Sequence, residues 1–253
     1  GVVRALAALA LCACAAAAAA PPRPEPPLPG THFLGADLKA LQADDFANPG
    51  QLWVARGEAL WSEGAKPCAA CHGEAARSMR GVAARYPRFD AGLGRVVNLE
   101  GRIDACRTGH QGLPALAPES PERLSLAAFV ARQSRGMPLA VSVDGLARPV
   151  FERGRDLYRT RIGQLHLACT HCHDERWGKT LLAEPISQGH PTAWPAYRVE
   201  WQTLGSLQRR LRACFFGVRA AMPAYGDGDL LALELYLAWR GEGLALESPG
   251  VRR

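Results

Sequence analysis

The sequence predicts a mainly α chain built as a tandem duplication of two domains of similar length. Three observations carry this reading. Apolar residues recur at helical steps, as in Leu126, Phe129 and Val130 and again in Leu230, Leu233, Tyr236 and Leu237, whereas strand-like alternation is scarce. The pattern Cys-x-x-Cys-His occurs twice, as Cys68-Ala69-Ala70-Cys71-His72 and as Cys169-Thr170-His171-Cys172-His173. Similar segments flank both copies in the same order.

Residues 1–20 combine Arg4, an apolar stretch and an alanine-rich tail, the pattern of a secretory signal peptide. Leu11-Cys12-Ala13-Cys14 resembles a lipobox, so lipid anchoring at Cys14 is an alternative to cleavage within residues 15–20. The stretch is too short and alanine-rich for a membrane span, so no integral span is expected in the mature chain. Residues 21–34 form a Pro-rich linker. An N-terminal domain is expected over 35–145 and a C-terminal one over 146–253. Arg56-Gly57-Glu58-Ala59-Leu60-Trp61 precedes the first pentapeptide, and Arg153-Gly154-Arg155-Asp156-Leu157-Tyr158 precedes the second. Downstream, the segment 101–107 with Cys106 matches 209–215 with Cys214, and 126–132 matches 233–239. Each half therefore reads as helix, pentapeptide, helix carrying a cysteine, and closing helix. Ser206 is the expected N-cap of the helix through Cys214. Asp144-Gly145 and Pro149 mark the junction between the halves. Residues 178–202, with several Pro and Gly and two Trp, are expected as a long loop.

A Cys-x-x-Cys-His pentapeptide is the attachment site of a c-type haem. Two thiols one helical turn apart form thioethers to the two vinyl groups, and the adjacent His becomes the proximal iron ligand. The expectation is thus two covalently bound haem c groups, on Cys68 and Cys71 and on Cys169 and Cys172. His72 and His173 would ligate the irons, in two class I cytochrome c-like domains. Covalent haem attachment and the leader both point to the periplasm. The formal net charge is +6 and the pI near 9.0. The basic residues are scattered rather than clustered, which excludes a nucleic-acid reading and leaves a mild attraction for anions.

The distal ligand decides the chemistry. Of eight cysteines, two lie in the leader and four are claimed by haem, which leaves Cys106 and Cys214 at equivalent places of the repeat. A thiolate ligand stabilises ferric iron and lowers the potential, which suits sulfur chemistry better than ordinary electron carriage. Nearby arginines favour the thiolate. Arg210 lies four residues before Cys214, on the same helical face, and its planar fork suits a sulfur oxyanion. Arg219 is a further candidate. Met137 and Met222, each followed by Pro, are the alternative ligands, and would make the chain a plain dihaem electron-transfer cytochrome. A Cys106–Cys214 disulfide is the other alternative. His110, four residues after Cys106, is placed to meet a haem propionate.

The run Cys214-Phe215-Phe216-Gly217-Val218-Arg219-Ala220 continues through Pro223-Ala224-Tyr225-Gly226 to Ser248-Pro249-Gly250-Val251-Arg252-Arg253. With two pentapeptides and a later cysteine for each, the chain resembles the SoxA family of dihaem cytochromes over residues 35–253. The resemblance implies an L-cysteine S-thiosulfotransferase. Its C-terminal haem would be the active centre, with His173 and a persulfide-bearing Cys214 as axial ligands. The N-terminal haem would take His72 and Cys106, and Arg210 would assist catalysis. The implied partners are thiosulfate, a SoxYZ-type sulfur carrier whose cysteine is modified, and a SoxX-type monohaem cytochrome c in a heterodimer. Met222-Pro223 departs from this pattern and leaves Met222 as an alternate ligand.

Overall fold

The structure, a computed structural model, describes residues 26–253. The leader expected at 1–20, with Cys14, and the first part of the expected linker lie outside the described residues.

The first half opens with a short 3-10 turn, Gly30–Phe33, and helix α1 (Ala36–Ala43). There follow α2 (Gln51–Ser62), α3 (Cys68–His72) and α4 (Ala75–Ser78). An antiparallel pair, β1 (Arg88–Asp90) and β2 (Arg95–Val97), leads into α5 (Leu99–Cys106), and α6 (Pro121–Arg132) closes the half. The second half runs α7 (Arg148–Arg159), α8 (Cys169–His173), the two-residue strands β3 (Thr180–Leu181) and β4 (Glu184–Pro185), β5 (Ala196–Arg198) and β6 (Thr203–Gly205). It ends with α9 (Leu207–Gly217), α10 (Gly228–Arg240) and β7 (Gly250–Arg252).

In each half the first helix crosses the closing helix, α2 on α6 and α7 on α10. A glycine sits at each crossing. A Cβ on Gly57 would lie 2.1 Å from the Ser125 carbonyl oxygen, and one on Gly154 would lie 2.0 Å from that of Ala232. Only glycine permits so close a backbone approach. Helix α10 is buried on every side, which explains its nearly unbroken apolar sequence, Leu230 to Trp239.

The one polar interruption in that run, Glu234, ties the two halves together. It is 4% exposed and accepts from Asn98 Nδ2 at 3.2 Å and from Gln208 Nε2 at 2.6 Å. Asn98 is the N-cap of α5, accepting from Gly101 N, and Gln208 lies in the first turn of α9. The starts of both cysteine-bearing helices therefore hang on one buried carboxyl. Ser206 caps α9 as its sequence predicts, accepting from Arg209 N at 3.1 Å.

Two expectations need correction. Residues 178–202 are not a structureless loop: they contain β3, β4 and β5. β5 is the middle strand of a sheet, antiparallel to β6 and parallel to β7. Strands this short leave no readable alternation, which is why the sequence pattern missed them. The end of the expected linker is also not a free spacer. Leu28 N donates to Gln188 Oε1 at 2.7 Å, and Thr31 Oγ1 donates to Glu247 Oε1 at 2.6 Å. Further along, Gln42 of α1 accepts from Val251 N at 2.9 Å, so β7 clasps the N-terminal segment. No helix among the described residues is long and apolar enough to cross a membrane.

Candidate functional site

The two pentapeptides form α3 and α8, each a single short turn of helix. The last residue of each preceding segment reaches the residue just after the pentapeptide histidine. Trp61 Nε1 donates to the Gly73 carbonyl at 3.0 Å, and Tyr158 Oη donates to Asp174 Oδ1 at 2.8 Å. Asp174 is also held by Arg240, 1% exposed, at 2.6 Å. Burial raises the Tyr158 phenol well above its ordinary range, so it serves as a donor only.

In the N-terminal half, a cavity of about 330 Å³ lies between α3, α5 and α6, lined by Cys68, His72, Leu99, Ile103, Cys106 and Val130. Arg85, Arg88, Arg102 and Arg107 stand around it. Burial raises the Cys68 thiol, and Cys106 raises it further, so the pentapeptide and the later cysteine face one space. Among the described residues no disulfide forms, and Cys106 and Cys214 are both free thiols. An apolar slot lined by a pentapeptide thiol, an imidazole, an opposing thiol and arginines for carboxylates, with the second pentapeptide thiol exposed beside it, is the donor set a haem c requires, so the residues fit that group. Met137 does not line the cavity; Met79, which sequence reasoning did not single out, does. His110 is exposed in the turn after α5 and is not among the lining residues.

The C-terminal site differs in its electrostatics. His173 Nδ1 donates to the Ser187 carbonyl at 2.6 Å, which turns Nε2 toward the interior. Gly189 leaves room for that ring: with φ +78°, a Cβ there would stand 3.2 Å from His173 Cγ and Nδ1. Opposite lies Cys214, on the third turn of α9. Burial raises its thiol, but the charge of Arg210, a hydrogen bond with His173, the charge of His173 and the charge of Arg198 outweigh burial and bring it down to about 7. The two pentapeptide thiols behave in the opposite way. Burial and then the Cys214 charge push Cys169 up to about 12 and raise Cys172. Three thiols and an imidazole thus converge here, and the same donor set fits a second haem c.

Of the sequence-predicted residues, the structure gathers Cys169, Cys172, His173, Arg210 and Cys214 at this site, and Cys68, His72 and Cys106 at the other. Cys71 is exposed at the edge of its turn. Arg219 is exposed, in a left-handed conformation at φ +57° after α9. Arg212 is engaged with the Pro223 carbonyl and lies over the Tyr225 ring at 4.4 Å. Met222 is half exposed. Sequence reasoning missed Ser187, Gly189, Arg198 and Trp201. All lie in residues 178–202, where no periodicity marks them.

Comparison with known proteins follows the same outline. The family model described as SoxA/TsdA, cytochrome c domain, matches residues 56–139. The L-cysteine S-thiosulfotransferase subunit SoxA of Pseudaminobacter salicylatoxidans is 40% identical, over 89% of this chain and 81% of its own length. The protein of the same description from Rhodovulum sulfidophilum is 39% identical, over 88% of this chain and 79% of its own. The crystal structure of SoxXA from P. pantotrophus superposes with a TM-score of 0.86 at 35% identity, covering 90% of this chain and 87% of that one.

Proposed function

The chain belongs to the SoxA family, and from that premise we propose that it is the haem-bearing subunit of an L-cysteine S-thiosulfotransferase whose working sulfur is Cys214. The observation that carries the assignment is the convergence of Cys214 with Cys169, Cys172 and His173, with Arg210 four residues earlier on the same face of α9.

The residues divide the work. Arg210 faces the Cys214 thiol and offers its fork to the sulfonate oxygens of thiosulfate. The sulfane sulfur then bonds to the Cys214 sulfur, with loss of two electrons. A haem c held by Cys169, Cys172 and His173 would supply the outlet for those electrons. A carrier cysteine thiolate next attacks the sulfane sulfur, and Cys214 leaves as a thiolate stabilised by the charge of Arg210. Overall, one carrier thiolate and one thiosulfate dianion give one cysteine S-thiosulfonate and two electrons. Atoms and charge balance, and no proton is consumed.

Two covalently bound haem c groups complete the reading. One would be held by Cys68, Cys71 and His72 with Cys106 as its further ligand, the other by Cys169, Cys172 and His173 with Cys214 as its further ligand. The paired behaviour of Cys68 with Cys106 and of Cys169 with Cys214 supports one distal cysteine per half. The matched crossings at Gly57 and Gly154, and the matched contacts of Trp61 and Tyr158, support a tandem duplication with domains at 35–145 and 146–253. Likeness to SoxXA supports a SoxX-type monohaem cytochrome c as the partner that takes the electrons, and the relatives' description supports a SoxYZ-type carrier as acceptor. Haem attachment of this kind supports a periplasmic location.

Cys214→Ala tests the assignment. Thiosulfate-dependent modification of a carrier cysteine is expected to vanish, while Cys106→Ala retains turnover; undiminished turnover in Cys214→Ala removes that residue from the mechanism. Intact-mass measurement of the haem-loaded chain checks the haem count and any extra sulfur on Cys214.

A further inference from the structure

The His173 ring hangs from a loop. Its Nδ1 donates to the Ser187 carbonyl at 2.6 Å, and Ser187 lies between β4 and β5. A carbonyl orients a ring only as firmly as its own backbone is held.

The next residue supplies the hold. Gln188 is 0% exposed, and its amide is matched at both ends by the start of the described chain. Oε1 accepts from Leu28 N at 2.7 Å, and Nε2 donates to the Pro26 carbonyl at 3.1 Å. A backbone donor on one side and a backbone acceptor on the other fix which end of the amide is which. Oε1 also accepts from His190 Nε2 at 3.0 Å, and Gly189 N donates to Ser187 Oγ at 3.2 Å. Residues 187–190 are thus tied to one another as well as to the N-terminal segment.

That segment also fastens the far end of the loop. Thr31 Oγ1 donates to Glu247 Oε1 at 2.6 Å. Glu247 in turn accepts from Thr192 Oγ1 at 3.2 Å, and its N–H donates to the Thr192 carbonyl at 2.7 Å. Residues 26–31 therefore strap the loop at Gln188 and, through Glu247, at Thr192. The sequence suits them to it. In Pro26-Pro27-Leu28-Pro29 only Leu28 carries a backbone N–H, and that donor goes to Gln188. A residue before proline is confined to an extended conformation, so the strap arrives preorganised.

We propose that Gln188 is a positioning residue for the C-terminal haem: it passes the hold of the strap at residues 26–31 to the Ser187 carbonyl, and through it to the His173 ring. The proposal rests on the reading of His173 as an iron ligand. A proximal histidine whose Nδ1–H is firmly bonded is the more basic ligand and favours ferric iron. Loosening the strap weakens that bond, so the potential of this haem rises while that of the N-terminal haem stays where it was.

Paramagnetic resonance and redox titration of the haem-loaded full chain read this without turnover. The signal lost in His173→Ala identifies the C-terminal haem. Leu28→Pro deletes one N–H in a conformation that the flanking prolines already favour, and Leu28→Ala deletes the side chain but keeps that N–H. Leu28→Pro and Gln188→Leu are expected to shift the C-terminal signal. At the potential where the wild-type haem is half reduced, they should raise its ratio of reduced to oxidised by about threefold to fivefold, the size of one neutral hydrogen bond. Leu28→Ala is expected to keep wild-type values, and the N-terminal haem is expected to stay unchanged in all three variants. Leu28→Pro, at a half-buried position, keeps the test in force should Gln188→Leu fail to fold. An unchanged C-terminal signal and ratio in Leu28→Pro overturns the positioning role. So does an equal shift in Leu28→Ala, or a shift of both haems together, as a general loosening of the fold would give. If His173→Ala alters no haem signal, the ligand reading itself falls, and the proposal with it.

Discussion

Gly154→Ala isolates the closest helix crossing in the C-terminal half. On helix propensity alone the change stabilises, by about 0.5–1 kcal/mol. The packing reverses the sign. The new Cβ would lie 2.0 Å from the Ala232 carbonyl oxygen and 2.6 Å from its carbon, backbone atoms that cannot swing aside as a side chain does. The third neighbour, Tyr236 Cβ at 3.0 Å, belongs to a residue whose ring packs against Phe151, Tyr158 and Trp239. Helix α7 must therefore back away from α10 until the contact reaches ordinary van der Waals distance. Overpacking of this kind costs about 1–3 kcal/mol. At the middle of both ranges, subtracting the propensity gain leaves a net loss of about 1 kcal/mol. Urea denaturation of the haem-loaded chain measures it, with Gly217→Ala as the control. Gly217 ends α9, and a Cβ there would have nothing within 4 Å, so that variant is expected to match wild type or exceed it slightly. A Gly154→Ala variant as stable as wild type, at unchanged m-value, would refute the close-approach argument.

Three further outcomes follow from the buried polar groups and caps. Burial, then the neighbouring Glu100 carboxyl, holds Glu234 above its ordinary value of 4.5, against the hydrogen bonds from Gln208 and Asn98. A carboxyl raised in the fold contributes stability that is fully present below 4.5 and is lost as pH rises toward its folded value, by at most about 1.4 kcal/mol per pH unit. Glu234→Gln should therefore gain on wild type as pH rises above that point, and parallel stability profiles across pH would count against it. Gly189→Val should displace the His173 ring, which stands 3.2 Å from a Cβ at that position, and alter the paramagnetic resonance of the C-terminal haem alone; an unchanged signal would show that the ring is not confined there. Ser206→Ala removes the acceptor for Arg209 N and should cost about 1 kcal/mol in chemical denaturation, with no loss if the cap is replaced by water.

The parts of this molecule that were legible in the sequence are those written in repeated or periodic form. The pentapeptides, the cysteine that follows each, the apolar steps of α6 and α10 and the Ser206 cap are all local patterns with a direct physical meaning. Gly57 and Gly154 were visible as equivalent residues, but their reason was not: it lies in the backbone of a helix far along the chain in each case, at Ser125 and Ala232. The same holds for Glu234, an acidic residue inside an apolar run whose partners Asn98 and Gln208 come from both halves. Residues 178–202 were the least legible. Their strands run two or three residues, too short for alternation, and β5 gains its neighbours only from β6 and from the far C-terminal β7.

That illegible stretch is also where the two halves part company. Both bring a pentapeptide thiol and histidine together with a later cysteine, so the shared architecture alone does not select a working centre. The difference is supplied from outside the repeat. Ser187 orients His173, Gly189 seats its ring, and Arg198 adds a second positive charge to that of Arg210 beside Cys214. In the first half the arginines Arg85, Arg88, Arg102 and Arg107 ring a cavity already lined by the pentapeptide. In the second, the charges of Arg210 and of Arg198, the latter paired with the exposed Glu200, both act on Cys214. The two halves present similar donor sets, but the charges of Arg210 and Arg198 help to lower Cys214 against its burial, whereas burial keeps Cys68 raised, and on that asymmetry rests the choice of the second half in the proposed function.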